Sequence, residues 1–233
     1  MAKSRRSPNN FLASLSPSDF KRLQPHLKVI ELPNEVVLFE SGSSVKNTYF
    51  PHSGIISLVV PLKGGRMIEA AMIGRDSVVG ASSALDGRIS LNKGIVQLPG
   101  AASVMPVAPF RKAVDDSDTL RLALVRHEQL LFVQAQQSAA CNATHKMEAR
   151  LARWLLRARD LSSENTMAFT QEFLSQMLGV QRTGVSNIAH TLHKRGLINY
   201  NRGRVQITKL QGLRDEACEC YETVKRHYDR LLN

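Results

Sequence analysis

The spacing of apolar residues changes near Pro109, and this change limits the folds that the chain can adopt. Before Pro109, short apolar runs alternate with turn residues; after it, apolar residues recur every three or four positions. Short strands between turns indicate an antiparallel sandwich or barrel, and the later spacing indicates amphipathic helices. The sequence therefore predicts an α+β chain with a β-rich first half and a helical second half.

Six apolar runs predict the strands of the first half. They cover residues 29–32, 36–39, 55–60, 67–73, 95–98 and 104–107. Turn residues interrupt them at Pro33-Asn34, Ser41-Gly42, Gly64-Gly65, Gly74-Arg75-Asp76 and Pro99-Gly100. A short helix is predicted before the first strand, because Ser16 suits an N-cap and Pro17 the first helical position.

Length and composition favour a globular chain of more than one domain. The 233 residues suit two cores, and no apolar run approaches the roughly 20 residues of a membrane span. The basic start of the chain runs into the polar stretch 8–10 where a signal peptide would have its apolar core. Three cysteines are too few for a disulfide framework. We therefore expect a cytoplasmic protein and no membrane partner.

The charge of the chain favours a polyanionic partner. Thirty-one basic and 20 acidic residues give a formal net charge of +11. Residues 145–211 carry eleven of the basic and four of the acidic residues, a net of +7. A basic excess in one segment points to nucleic acid or an anionic surface.

A long helix is predicted over residues 118–144, with Asp118 as its cap. Its apolar residues have the alternating four-three spacing of a helix–helix seam. We expect homodimerisation through Leu120, Leu124, Leu131 and Ala135. The domains predicted on either side are a β-rich domain over residues 1–117 and a helical domain over residues 145–233.

Residues 169–208 predict a helix-turn-helix followed by a wing. Thr170 suits an N-cap, Ser175 is small where two helices would cross, and Gly179 suits a tight turn with positive φ. Val185 and Ile188 then begin the inward stripe of a second helix, which Gly196 ends. Two short strands follow around residues 201–204.

The outward face of the second helix has the side chains that major-groove readout requires. Arginine can bridge guanine O6 and N7, asparagine can bridge adenine, and hydroxyl groups can bind phosphate or base edges. Arginines at the tip of the wing suit phosphate or minor-groove contacts. The candidate DNA-binding residues are Thr170, Gln171, Gln181, Arg182, Thr183, Ser186, Asn187, His190, Lys194, Arg202 and Arg204.

Residues 16 to about 210 resemble the Crp–Fnr superfamily of transcription regulators. The segment 170–188 is similar to the superfamily's helix-turn-helix, and Phe39-Glu40-Ser41-Gly42, Gly54, and Gly74-Arg75-Asp76 with Gly80 are similar to turn markers of its cyclic-nucleotide-binding domain. The resemblance implies an N-terminal antiparallel β-roll of the double-stranded β-helix or jelly-roll type, a long dimerisation helix and a C-terminal winged helix-turn-helix. It places a base-reading arginine at Arg182; the next position, acidic in the best-known members, is Thr183 here.

The resemblance also identifies where an effector would bind and argues against cyclic AMP. The superfamily's pocket holds the ribose with a Gly-Glu pair, but Gly80 is followed by Ala81. Its phosphate site uses an Arg-Ser or Arg-Thr pair, whereas Arg88 and Ser90 have the wrong spacing. These four residues are the candidate effector pocket.

We expect no cofactor and no resident metal. The N-terminal cysteines of the superfamily's iron–sulfur branch are missing; the alternative of haem would use His26, His52 or His127. Cys218 and Cys220 lie on a continuous amphipathic pattern over residues 210–231. Two positions apart on one helix, their thiols would point in different directions and chelate poorly, although metal or redox sensing stays an alternative.

The expected function is sequence-specific binding of double-stranded DNA by a homodimer that reads a near-palindromic operator. A signal at the β-roll would control it, and RNA polymerase would be a further partner. The alternative is a small-molecule-binding adaptor whose basic helices contact protein or membrane. Enzymatic activity is not expected, because the chain has no phosphate-binding loop, His-Glu-x-x-His or Gly-x-Ser-x-Gly motif.

Overall fold

The computed structural model describes residues 7–85, 87 and 89–232. The first part is built from short antiparallel strands, as expected. They are β1 (Lys28–Leu32), β2 (Val37–Phe39), β3 (Asn47–Pro51), β4 (Ile55–Pro61), β5 (Met67–Ile73), β6 (Lys93–Leu98) and β7 (Gly100–Pro106). One sheet has the order β1-β7-β3 and the other β2-β6-β4-β5. Apolar side chains of both sheets face each other and fill the space between them.

Helices precede the strands and also follow them. They are α1 (Asn10–Ser14) and α2 (Pro17–Leu23) before the strands, α3 (Val107–Asp115), α4 (Asp118–Thr144) and α5 (Met147–Ser162) after them, then α6 (Gln171–Leu178), α7 (Arg182–Lys194), α8 (Leu210–Glu216) and α9 (Cys220–Leu232). The wing strands are β8 (Thr166–Ala168), β9 (Ile198–Asn201) and β10 (Arg204–Ile207), paired in the order β8-β10-β9.

Several element boundaries differ from the sequence prediction. Strand β3 was not expected, because its asparagine and proline break the apolar pattern; Tyr49 and Phe50 are nevertheless buried in it. Strand β8 was also missed, since it has a single buried residue, Met167. Helix α1 was missed as well: Asn9 caps it and donates from Nδ2 to Pro51 O at 2.9 Å and Ser77 O at 2.8 Å.

The cap of α4 is Ser117 and not Asp118. The Ser117 hydroxyl accepts a hydrogen bond from the Leu120 amide at 3.3 Å, and Asp118 is the first helical residue. A serine one position earlier satisfies the free amides equally well, and the acidic side chain then lies in the first turn, where the helix dipole favours it.

The predicted dimer seam on α4 is wrong for Leu120 and Leu124. Both are fully buried within their own chain, against Phe11 and Phe110, so they are not available to a partner. Leu131 packs partly against the β-roll interior, and Ala135 is half-buried. The four-three stripe thus covers this chain's own core.

A different stripe on α4 is exposed. Its members have the same heptad spacing but lie on the opposite side of the helix: Leu122, Val125, Gln129, Phe132, Gln136, Ala139 and Ala143. Phe132 is 64% and Leu122 53% exposed. Large apolar side chains at a/d spacing on a solvent-facing helix are typical of a surface that a second helix covers.

The continuous C-terminal helix that the sequence predicts is broken. Helix α8 ends at Glu216, Ala217 adopts an extended conformation with φ −69° and ψ 147°, and α9 begins at Cys220. The expectation that the thiols of Cys218 and Cys220 point apart was wrong, because it assumed one uninterrupted helix.

The β-roll and the helix-turn-helix share one hydrophobic core. Ile55, Val59 and Met72 of the β4–β5 hairpin pack in the same cluster as Trp154 and Leu178 of the C-terminal part. Gly74 allows α5 to approach closely, since a Cβ there would lie 2.8 Å from the Leu161 Cβ. The two parts of the chain are therefore packed together without an intervening gap at this point.

A carboxylate lies inside this shared core. Glu69 on β5 accepts a hydrogen bond from the Trp154 indole N–H at 2.8 Å and another from the Ser57 hydroxyl. Burial raises the pKa of Glu69 above its usual value, although both hydrogen bonds and the charges of Arg153 and Arg157 favour the ionised form. Close by, Arg157 Nη1 pairs with Asp76 Oδ2 at 2.8 Å across the same contact.

The raised pKa of Glu69 predicts how stability depends on pH. Below the usual glutamate pKa, both folded and unfolded chains hold the proton; as pH rises, the unfolded chain releases it first, so folding stability decreases until the folded pKa is passed. Glu69→Gln keeps an oxygen acceptor for Trp154 and removes this titration. We expect the free energy of unfolding of the variant to rise relative to that of the parent chain as the pH increases above 4.5, the usual pKa of glutamate.

Urea unfolding at several pH values measures this difference. Glu31→Gln, at an exposed position of β1, is the matched control and should track the parent chain. A difference between Glu69→Gln and the parent chain that stays constant over the whole pH range would contradict the prediction.

Candidate nucleic-acid interface

Local sequence fixes the turn between α6 and α7. The Thr170 hydroxyl caps α6 by accepting from the Phe173 amide at 3.1 Å, as predicted. Gly179 has φ +65°, a left-handed conformation that glycine adopts without a Cβ penalty. Ser175 is buried on α6 at the crossing of the two helices, and its hydroxyl donates to Glu172 O at 2.7 Å. The helix-turn-helix geometry that the sequence predicts is confirmed at these three positions.

The inner stripe of α7 anchors the helix. Val185, Ile188, Ala189 and Leu192 are buried. The helix ends in a Schellman motif around Gly196 (φ +65°), in which the Leu197 amide donates to Leu192 O and the Gly196 amide to His193 O. Because both the apolar face and the C-terminus are fixed, the direction of the opposite face is fixed as well.

The outer face of α7 is open to solvent. Arg182, Thr183, Asn187, His190 and Lys194 are all exposed. They occupy one side of the helix from its first turn to its last, where no other part of the described chain covers them. This side of the helix is therefore accessible to a partner molecule.

Ser186 and Gln171 differ from the other candidate residues. The Ser186 hydroxyl donates to Gln171 Oε1 at 2.6 Å, which joins α7 to the start of α6. Both side chains are half-buried. This hydrogen bond positions the two helices relative to each other. The side-chain nitrogen of Gln171 is not used in it and can donate a hydrogen bond to a partner.

Gln181 is the N-cap residue of α7 and is exposed, but its side chain makes no capping hydrogen bond. The amides of the first turn of α7 thus lie beside Arg182 without a side-chain cap. Helix N-termini of this kind are favourable sites for phosphate oxygens.

The wing projects two arginines. Strands β9 and β10 are joined by Arg202 (φ +46°) and Gly203 (φ +73°), the pair of left-handed residues that a two-residue hairpin turn requires. Arg202 and Arg204 are exposed. The Tyr200 hydroxyl donates to Phe169 O at 3.1 Å and so connects the wing to the residue before the N-cap of α6. Burial raises the pKa of Tyr200.

Comparison with known proteins identifies this arrangement. The profile of the Crp-like helix-turn-helix domain matches residues 149–216. Many solved structures share the fold of the chain. A transcriptional regulator of the Crp/Fnr family from Eubacterium rectale has 16% identity, 91% coverage of this chain, 95% coverage of its own and a TM-score of 0.68.

Two further structures are similar over most of their length. FixK2 from Bradyrhizobium japonicum is 16% identical, with 82% of this chain and 98% of FixK2 covered and a TM-score of 0.71. The c-di-GMP responsive global regulator CLP from Xanthomonas campestris is 15% identical, with coverages of 82% and 99% and a TM-score of 0.65. No curated protein matches the chain significantly.

Residues 149–216 thus match a Crp-like helix-turn-helix domain, and the chain has the fold of solved Crp/Fnr-family regulators. Both findings agree with the resemblance that the sequence shows. Among the described residues, no helix combines the length and apolar character that crossing a membrane requires.

Three of the four candidate effector residues, Gly80, Ala81 and Ser90, lie in the described part of the chain. Gly80 (φ +84°) makes a turn, and Ala81 is buried at the start of a short 3-10 segment. The Ser90 hydroxyl already donates to Asn92 O at 2.7 Å. Arg88 lies outside the described residues.

Apolar side chains occupy the interior of the β-roll. The cluster consists of Leu32, Phe39, Val45, Tyr49, Ile56, Ile73, Val79, Val96 and Ala102. The Phe39 ring lies against Gly94, where a Cβ would meet it at 2.7 Å. A charged cyclic nucleotide in this space would lose its hydration without gaining polar partners from these side chains.

The histidines considered as haem ligands have other surroundings. His127 is fully buried, and its Nε2 accepts a hydrogen bond from the Val78 amide at 3.2 Å. His52 is hydrogen-bonded to the Ser103 hydroxyl at 2.9 Å, whereas His26 is exposed. The three lie in different environments, and the ring nitrogen of His127 that an iron would need is already used.

The exposed wing arginines predict a salt-dependent contribution to DNA affinity. Arg202→Ala and Arg204→Ala should each weaken binding about equally for all DNA sequences and reduce the slope of log K against log salt by about 1, because each removes one phosphate contact. Fluorescence anisotropy of labelled duplexes over a salt series measures the slope.

Arg66→Ala is the matched control for the wing variants. It removes the same charge from an exposed position in the turn between β4 and β5. A slope unchanged by the wing variants, or changed as much by Arg66→Ala, would show that the wing does not contact phosphates.

Proposed function

We propose that the chain is a homodimeric regulator that reads a near-palindromic operator, with one α7 in each of two successive major grooves. The observation that carries the proposal is the exposed, hydrogen-bonding face of α7 above a fully packed inner stripe. A two-fold dimer presents this face twice, so the preferred DNA sequence should have the same two-fold symmetry. It acts in the cytoplasm by binding, without catalysing a reaction, and RNA polymerase is a further partner.

Arg182 is the proposed base-reading residue. It is the first residue of α7 and is exposed, so its guanidinium can reach the edges of bases when the helix N-terminus enters the groove. Thr183 beside it carries a hydroxyl group in place of the carboxylate that pairs with cytosine N4. The preferred half-site should therefore differ from that of regulators with an acidic residue at this position.

Selection from a random duplex library tests base reading. The parent chain should enrich a near-palindrome whose half-site centres lie about one helical turn, roughly 34 Å, apart. Arg182→Ala should relax the preference at one position in each half-site, at a cost of about 1–3 kcal/mol for the preferred base pair. Arg66→Ala serves again as the control of equal charge. Retention of the full base preference by Arg182→Ala would exclude the proposed role.

The proposed dimer interface is the exposed stripe of α4. Its central member, Phe132, is the most exposed large apolar residue of the helix. Two such stripes facing each other would bury Phe132 together with Leu122 and Val125, while Gln129 and Gln136 would meet polar partners at the same seam. This assignment replaces the inward stripe, whose residues already have partners in their own chain.

Phe132→Asp should convert the dimer to a monomer, because a carboxylate would be buried against its symmetry mate without a partner. We expect the dimer dissociation constant to rise by a factor of about 30 or more, equivalent to about 2 kcal/mol. Analytical ultracentrifugation measures it. Leu91→Asp, at a 77% exposed position outside α4, should leave the dimer intact. Equal effects of the two variants would contradict the assignment.

We also propose that a signal received by the β-roll changes the position of α7 through the shared core. The Arg157–Asp76 ion pair and the Gly74–Leu161 contact support this route, because they join the β5 end of the roll directly to α5. A change in the roll can thus reach the DNA-binding part without passing through α4.

A further inference from the structure

Four potential metal ligands converge at the junction between α4 and the C-terminal helices. Cys141 lies in the last turn of α4, His145 is its C-cap residue, Cys218 lies in the break before α9, and Cys220 is the first residue of α9. Their donor atoms all lie within 4.8 Å of one another, although up to 79 positions separate them along the chain. All three cysteines are free thiols and buried.

The distances suit a single tetrahedral ion. Cys141 Sγ lies 3.5 Å from Cys218 Sγ, and Cys220 Sγ lies 3.6 Å from His145 Nδ1. Zinc–sulfur bonds of about 2.3 Å and zinc–nitrogen bonds of about 2.0 Å place neighbouring ligand atoms of a tetrahedron roughly 3.5–3.8 Å apart. The space between the four donor atoms holds one ion and is too small for a cluster of several irons.

The groups around the four ligands are those that a metal site requires. His145 points Nδ1 towards the thiols, and its other nitrogen, Nε2, lies 3.1 Å from Glu219 Oε1. A carboxylate on the far nitrogen fixes the ring orientation and makes the coordinating nitrogen more basic. Gln137 Nε2 also donates to Cys220 Sγ at 3.0 Å, a hydrogen bond that favours the thiolate.

The charges around the four residues also favour a bound metal ion. Three thiolates and one divalent cation carry a net charge of −1. Arg150 and Arg153 interact electrostatically with the cysteines. Within the part of the chain that the structure describes, their buried Nε atoms have no hydrogen-bond partner. Two guanidinium groups beside the cluster would offset its negative charge.

Packing alone does not account for this arrangement. A buried cysteine is commonly a small apolar residue, but an imidazole nitrogen and an amide N–H both directed at thiols are polar groups placed for a ligand. A Cys141–Cys218 disulfide would use two of the four groups and leave Cys220 and His145 without a role. A structural ion uses all four.

We propose that Cys141, His145, Cys218 and Cys220 bind one zinc ion. Three sulfurs and one imidazole nitrogen in a closed tetrahedron are typical of structural zinc, whose filled d shell imposes no other geometry. The expected absence of a metal in this chain is thereby replaced by a specific site.

The site connects two elements whose relative position matters for DNA binding. His145 precedes α5 by two residues, so the ion would join the α4–α5 junction to the α8–α9 break. The angle between the dimerising helix and the helix-turn-helix would then depend on metal occupancy. This regulatory role rests on the proposed function, whereas metal binding itself does not.

Cobalt is the probe that tests the site. The full chain is purified under reducing conditions, its metal content is measured, and the metal-free protein is titrated with Co²⁺ and then with Zn²⁺. We expect one Co²⁺ per chain, thiolate-to-cobalt charge-transfer bands, the intense visible bands of tetrahedral coordination, and displacement by one equivalent of Zn²⁺. A weak octahedral spectrum, or a Cys141–Cys218 disulfide found in place of the metal, would overturn the proposal.

Matched variants assign the ligands. Cys218→Ser and His145→Ala should each lower the affinity for Co²⁺ at least 100-fold and change the spectrum, whereas His26→Ala, at an exposed histidine elsewhere, should not. Glu219→Gln tests the groups around the ligands with little risk to folding, since the Glu219 side chain is 75% exposed; we expect a loss of about 10-fold or more in affinity. Identical titrations for Glu219→Gln, Cys218→Ser and the parent chain would refute the assignment.

A DNA-binding measurement separates the two proposals. Metal-free and zinc-loaded protein are compared on the selected operator by anisotropy. A change in affinity on zinc loading, absent in Cys218→Ser, supports control at the junction. A one-to-one zinc complex that binds no DNA would reject the proposed function and leave the metal site standing, whereas equal DNA affinity with and without zinc would reject only the regulatory role.

Discussion

The packing of Trp154 between the two halves of the chain is the interaction on which the rest of the structure depends. Its ring is buried against Phe169 at 4.8 Å and Phe173 at 5.8 Å between centroids, and its indole N–H reaches Glu69 of the β-roll. One side chain thus completes the core of the helix-turn-helix and donates a hydrogen bond to a buried carboxylate of the β-roll. A large aromatic residue with a polar edge suits this position, because it contributes apolar area and one directed hydrogen bond.

This shared core determines which surfaces remain for partners. The inner stripe of α7 and the sheet of the β-roll are used within the chain, so the outer face of α7, the wing arginines and the outer stripe of α4 are left in solvent. The first two suit DNA and the third suits a second copy of the chain. The same contact also couples α5 to the β-roll, since α5 cannot shift without disturbing Gly74 and Asp76.

Structural features that depend on residues close in the sequence could be predicted, whereas features that depend on distant residues could not. The turn at Gly179, the cap at Thr170 and the end of α7 at Gly196 were predictable, because each is decided by backbone conformation and hydrogen bonds within a few residues. Strand β3 was not, since Asn47 and Pro51 have low strand propensity and are held in the sheet by pairing with β7, which is distant in sequence. The resemblance to the Crp–Fnr superfamily supplied the order of the parts.

The sequence by itself determined most of the local elements, the apolar and polar faces of α7 and the basic character of the C-terminal half. Tertiary structure alone decided which of the two heptad stripes of α4 faces inward, because both carry apolar side chains and only the surrounding core selects between them. It likewise decided that α8 and α9 separate and bring Cys218 and Cys220 to Cys141. Periodicity reports neighbours a few positions apart, whereas a contact between Cys141 and Cys218 depends on how the whole chain closes.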